Sequence, residues 1–165
     1  MTQTIKGLIM LSLTLNAAIF GFFYAWVCST MWGLDAADPR VAISAMQAMN
    51  ASVRNAVFAP AFFGTPLALA VTAVLLKRAS APRSGALFAL SAAVYFLFGL
   101  VLTMTVNVPM NEALAQIPAP QDPTAARAIW LAYSPDWQFW NITRTVASGG
   151  SFLLAVAGLM ALPRR

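Results

Sequence analysis

The sequence predicts an all-α fold: a four-transmembrane-helix bundle in a single integral membrane domain, 1–165, with two short amphipathic helices capping its outer side. Three observations carry this expectation. Apolar residues make up 60% of the chain and charged residues 9%, with a mean hydropathy of +0.73, whereas soluble domains carry about 25% charged residues. Four stretches hold no charge at all, 7–34, 55–76, 84–111 and 145–163, and each can cross a hydrocarbon core of ~30 Å, which takes roughly 20 helical residues. The acids between them all fall on one side. Threaded up and down, Lys6, Lys77, Arg78, Arg83, Arg164 and Arg165 share one side without an acid, while Asp35, Asp38, Glu112, Asp122 and Asp136 share the other with Arg40, Arg54, Arg127 and Arg144.

By the excess of Lys and Arg, the acid-free side is expected in the cytoplasm, placing the protein in the cell's inner membrane with both ends of the chain cytoplasmic. The net charge of +5 then reports topology. No basic cluster interleaved with aromatics accompanies it, so nucleic acid is not an expected partner. Membrane lipids are expected partners, and a hydrophobic small molecule, a larger membrane complex or a homo-oligomer stays open.

Taken in order, the first span is expected over about 7–32. Its apolar run exceeds the roughly 7 to 15 residues of a signal peptide's apolar region, so it reads as a retained helix. Asp38-Pro39 is a helix-start signal, an acidic cap followed by a proline whose missing N–H costs nothing in the first turn. From there Ala42, Met46, Met49 and Val53 share one face and Gln47, Asn50 and Arg54 another, the pattern of a short amphipathic outer helix. The second span, 56–76, and the third, 84–107, are joined by KRASAPRSG, a connection short enough to make them antiparallel neighbours. Pro109 is expected to break the third helix near its outer end. Asp122-Pro123 starts a second outer helix, and Ser134-Pro135 is expected to start the last span, 137–162.

Recognition chemistry concentrates in WLAYSPDWQFWNITRT, 130–145, which holds three of the five tryptophans. At about 100° per residue, Trp137, Trp140, Asn141, Arg144, Ser148 and Ser151 fall on one stripe, and Gly99, Thr103 and Asn107 form another on the third helix. Asn16, Asn55 and Thr65 add further polar groups. Polar side chains at membrane depth face protein or a wet cavity, so an inward-facing pocket in the outer third of the bundle is expected. Other assignments compete: Trp130, Tyr133, Trp137 and Trp140 also suit an interfacial aromatic belt, Arg144 could snorkel to the headgroups, and Asn107, Asn111 and Asn141 could simply bond between helices.

The chain has no histidine and one cysteine, Cys28. That excludes His-ligated haem, His-containing zinc and iron sites, Ser-His and Cys-His couples, an iron–sulfur cluster and an internal disulfide. No glycine-rich phosphate loop follows a strand. The acids are scattered over separate loops, and no metal site is expected.

Three segments carry a family resemblance: AMQAMNASVRNAVFAPAFFG (45–64), TVNVPMNEALA (105–115) and WLAYSPDWQFWNITRTVAS (130–148). They resemble the recurrent motifs of the anthrone-oxygenase-like family of small four-helix integral membrane proteins, through Met46, Gln47, Asn50, Asn55 and Phe58, then Asn107, Pro109, Asn111 and Leu114, then Trp130, Tyr133, Trp137, Asn141, Arg144 and Thr145. The resemblance implies an oxidoreductase that oxygenates a polycyclic aromatic or quinone-like molecule with molecular oxygen and no cofactor. Such chemistry needs flat apolar walls, a proton acceptor and donors to an anion. Trp130, Tyr133, Trp137 and Trp140 are candidate walls. Arg54, Arg144, Asn111 and Asn141 are candidate anion stabilisers, and Asn50 and Asn107 further substrate contacts. Arg144, Asn111 and Glu112 are the catalytic candidates. Glu112 and Asp136 are the nearest carboxylates, and Asp136 is better explained by the helix dipole. Arg144→Ala is accordingly expected to impair the pocket more than Arg165→Ala. A non-enzymatic lipid- or small-molecule-binding protein, or an accessory subunit, is the alternative; a transporter ranks behind both, because the inner halves of the spans hold no ionisable residue.

Overall fold

The computed structural model describes residues 1–118 and 120–163. Arg164 and Arg165, counted above among the basic-side charges and used above as a control, lie outside them. The helices are α1 (Gln3–Ala36), α2 (Pro39–Ser52), α3 (Phe58–Arg78), α4 (Pro82–Ala115) and α5 (Pro123–Met160). No strand occurs among the described residues. Helices α1, α3, α4 and α5 are long and apolar enough to cross a membrane. They pack in a ring in which α1 touches α3 and α5, and α4 touches α3 and α5, so α1 and α4 lie across the diagonal.

Lipid is as apolar as leucine, so helices in a bilayer associate through close packing and hydrogen bonds rather than apolar burial. The interior obeys this. Ser12 Oγ and Thr72 Oγ1 meet at 2.9 Å, Asn16 Nδ2 donates to Ser151 Oγ at 3.0 Å, and the Ser91 and Ser151 hydroxyls meet at 2.9 Å, while Leu67, Val71, Leu90, Phe98, Val146 and Leu153 point outward. At Gly85 a Cβ would sit 2.8 Å from the Ala73 carbonyl oxygen, so α3 and α4 approach at backbone distance there. The turn joining them closes with Ala81 N–H donating to the Leu76 carbonyl at 3.0 Å and Ser80 N–H to that of Lys77 at 3.3 Å, with Ser80 left-handed at φ 60°, the usual way a helix ends before a sharp reversal.

The opposite, capped end carries all the acids. There the Asp38 carboxylate accepts the Arg40 backbone N–H at 2.9 Å, Pro39 occupies the first turn, and α2 buries Ala42, Ile43 and Met46 against Trp26, Leu114, Trp130 and Trp137. The same carboxylate receives the Arg40 guanidinium at 2.6 Å, which with the backbone N–H holds it down from 3.8 to about 2. Gln47 Nε2 donates to the Leu114 and Ile117 carbonyls, both at 2.9 Å, tying α2 to the chain at the end of α4. Asn55 proves to be a cap: its Oδ1 accepts the N–H groups of Val57 at 2.8 Å and Phe58 at 2.9 Å, starting α3.

Three prolines behave differently from a simple breaker. Ser134-Pro135 does not begin a helix; α5 runs through it from Pro123 to Met160, so the second outer segment and the last span are one rod. Buried residues lie on both sides of Pro135, Ala126, Trp130 and Tyr133 before it and Trp137 and Asn141 after it, and this packing outweighs the roughly 3 kcal/mol an interior proline costs. Pro109 does not end α4 either. The chain widens to π-helix over Thr103–Asn107, and Pro109 falls in the first turn of the α-helical segment that follows, Val108–Ala115. Pro66, inside α3, removes the donor for the Phe62 carbonyl, and the Tyr95 hydroxyl supplies it from α4 at 3.0 Å.

Candidate functional site

A cavity of about 600 Å³ opens at the capped end between α1, α3, α4 and α5, roofed by the turn from α2 to α3. Its walls are aromatic: Phe22, Phe23 and Trp26 from α1, and Phe58, Phe62 and Phe63 from α3. Phe22 packs on Phe58 with centroids 4.9 Å apart, and Trp26 on Trp137 at 5.1 Å. Met104 and Val108 of α4 add to the apolar lining, and the polar groups reaching it are few: Asn50, Arg54, Asn55, Thr103, Asn111, Glu112 and Arg144.

Arg144 is the unusual member. It is 5% exposed, and its guanidinium donates to Asn141 Oδ1 from Nε at 3.0 Å and Nη2 at 2.8 Å, and to Thr103 Oγ1 from Nη1 at 3.2 Å. It lies 4.3 Å from the Phe23 ring centroid and 5.3 Å from that of Trp137, positions in which ring faces attract a cation. Among the described residues it has no carboxylate partner; the ion pairs are Arg40–Asp38 and Arg54–Glu112. Asn141 is in turn fixed by donating Nδ2 to the Phe23 carbonyl at 3.3 Å. The guanidinium is therefore held by neutral acceptors and rings, and its charge is left for whatever fills the cavity.

Asn111 is oriented by two donors. The Tyr133 hydroxyl at 2.7 Å and Trp137 Nε1 at 2.8 Å both end on its Oδ1. An indole N–H can only donate, so the amide oxygen is assigned by these two contacts; Asn111 is itself part of the cavity lining. Asn50 also belongs to the lining, with its Nδ2 itself sealed from solvent. Two amide side chains and one cation thus belong to the lining of a mostly apolar chamber.

Of the polar and aromatic residues singled out in the sequence for the pocket, Asn50, Arg54, Asn55, Thr103, Asn111, Glu112, Trp137 and Arg144 line this cavity. Tyr133 and Asn141 stand behind them as supports. Asn107 is fully buried on the same side of α4 with neither amide atom bonded, but lies off the lining. Trp130 is no wall: it is packed in the capped-end core and donates Nε1 to Asp35 Oδ1 at 2.8 Å. Nor is Trp140, which is half-exposed against Phe139; it sits at the margin of its stripe, where α5 turns toward lipid. Two contributors went unrecognised. Asp35 accepts from Trp130, Ser134 at 2.7 Å and Gln138 at 2.9 Å, tying α1 to α5 at the proline. The aromatic walls of α1 and α3 lie in apolar runs where nothing in the sequence separates cavity-facing from lipid-facing rings.

The family model for anthrone oxygenase matches residues 48–154, a range that includes every polar group at the cavity. The chain belongs to the anthrone oxygenase family. No curated protein and no solved structure matches it. The anthrone oxygenase match takes in Asn50, Asn111, Trp137 and Arg144 but begins after α1, so the Phe22, Phe23 and Trp26 wall lies outside it.

Proposed function

We propose that the cavity binds a planar aromatic carbon acid as its anion and oxygenates it, converting an anthrone-type methylene to a ketone. The balance is CH₂ + O₂ → C=O + H₂O: the substrate loses a proton, its carbanion reduces dioxygen and recombines with it, and the hydroperoxide formed loses water. The protein's part is to lower the cost of the first step. A delocalised anion gains most from fixed donors in a dry site, and the unpaired, buried Arg144 guanidinium is the observation that carries this reading. Asn111 and Asn50 add amide donors; Phe23, Phe62 and Trp137 supply flat walls. The proton leaves to water at the cavity mouth beside Arg54 and Glu112. By charge asymmetry the basic end, with Lys6, Lys77, Arg78 and Arg83, faces the cytoplasm, which puts the cavity toward the outer leaflet.

Purified protein in lipid nanodiscs, given a panel of anthrones, is expected to consume oxygen and form the corresponding quinones. Arg144→Gln should lower the rate by about a hundredfold or more, the scale of losing one anion-stabilising donor. No quinone from any anthrone, or equal rates in the variant, would contradict the proposal. One observation favours the alternative of a non-enzymatic binding protein or accessory subunit: Glu112, the one carboxylate on the lining, is exposed and paired with Arg54 at 3.1 Å, so no free base faces the ligand. An intact aromatic ligand copurifying in mild detergent, with no turnover, would decide for that reading.

A further inference from the structure

Helices α3 and α4 pack closely along Pro82–Val94, less along Tyr95–Val101, and scarcely touch along Thr103–Asn107. The gap that results is bridged at both ends. Below, the Tyr95 hydroxyl reaches the Phe62 carbonyl; above, Arg54 Nη2 meets Glu112 Oε1 at 3.1 Å. Between the bridges stand Phe63 of α3 and Met104 of α4. Both line the cavity, yet Phe63 is 49% and Met104 44% exposed, so the two side chains reach from the chamber to the outer surface of a membrane-spanning bundle.

We infer that this gap is a lateral window through which the ligand reaches the cavity from the bilayer, and that the species admitted is the neutral, protonated form of a planar aromatic weak acid. The inference rests on the reading of the chamber as an anion-stabilising site. The sides of the window are a phenyl ring and a thioether chain, which adjust readily to an apolar guest and offer nothing to a charge crossing at membrane depth. The Arg54–Glu112 pair covers the side nearest water and belongs to the exposed class that is easily broken. Arg144 lies behind the window, not in it. Selection by the window and stabilisation by the floor therefore act on different protonation states of one molecule: the neutral form passes, and the anion is held.

The full chain in lipid nanodiscs tests this with two probes of the same ring system, 2-naphthol, neutral and bilayer-soluble, and 2-naphthalenesulfonate, permanently anionic. Binding of 2-naphthol is expected to be much faster than that of the sulfonate. Met104→Trp should slow both association and dissociation of 2-naphthol by about tenfold, moving affinity less than the rates, as narrowing a passage does. Met104→Ala, which removes bulk and guards against a misfolded tryptophan variant, should speed both. Arg144→Lys should weaken affinity. Unchanged rates in both Met104 variants, or a sulfonate that binds as fast as the naphthol, would overturn the window; with Arg144→Lys still weakening affinity, the anion site would stand without it. Unaltered affinity in Arg144→Lys with slowed rates in Met104→Trp would leave the window and remove the anion site. Cross-linking of Met104→Cys between two copies, in a Cys28→Ser background, would also overturn it, since a second copy would then seal the gap.

Discussion

A guanidinium inside a membrane-spanning helix is costly unless something answers its charge, and Arg144 is answered by an amide oxygen, a hydroxyl and two rings. Trp137 contributes twice, with its face toward the cation and its N–H to Asn111. Trp137→Phe keeps a ring but loses the donor and the stronger π-system, so stability should fall by about 1 kcal/mol and ligand affinity about two- to fivefold; thermal melts in detergent and equilibrium binding of 2-naphthol check the two separately. Much of this constellation was legible because α5 has a strict period. Trp137, Asn141, Arg144 and Ser148 recur at three and four residues, and polar groups with that spacing in an apolar run must face inward. Trp140 has nearly the same phase and still faces out, because helical phase alone does not fix where the edge of a neighbouring helix falls.

At the level of elements, the hydrophobic runs and the Asp38-Pro39 and Asp122-Pro123 signals located the helices, while Pro109 and Ser134-Pro135 did not mark the ends expected of them. Whether a proline interrupts a helix depends on what fills the carbonyl it leaves bare, and that partner is remote in sequence. Tyr95 and Phe62 show this most directly. Tyr95→Phe should cost about 1 kcal/mol by stranding the Phe62 carbonyl. In a Pro66→Ala background, where residue 66 regains an N–H, the same substitution should cost less, and a double-mutant cycle of unfolding free energies reads the difference. For α2 the relevant variable is acid. Because the Arg40 guanidinium and backbone N–H hold Asp38 at about 2 in the folded chain against 3.8, its contribution is complete above pH ~5 and is lost as pH falls through the folded value. Unfolding of wild type and Asp38→Asn, followed between neutral pH and pH ~2, should therefore converge only at the acid end.

Across the whole molecule, the spans follow from hydropathy, but the chamber depends on how four helices diverge. Its aromatic walls come from α1 and α3, whose rings look like any lipid-facing ring until the bundle is assembled. Its polar groups come from α4, α5 and the end of α2 with the turn after it, where asparagine, threonine and arginine stand out against an apolar background. That division explains why most polar groups of the lining could be named from the sequence and the shape of the chamber could not. It also gives the chamber its character: dry walls, a single unpaired charge on the floor, and paired charges at the rim. The central claim is that Arg144 stabilises an aromatic anion, and the most direct measurement is the ionisation of 2-naphthol bound in nanodiscs, followed by its absorption spectrum as pH is raised. Bound to the wild type it should ionise at lower pH than in the same nanodiscs without protein, and Arg144→Gln should abolish the difference; ionisation at the same or higher pH in the wild type would contradict the account.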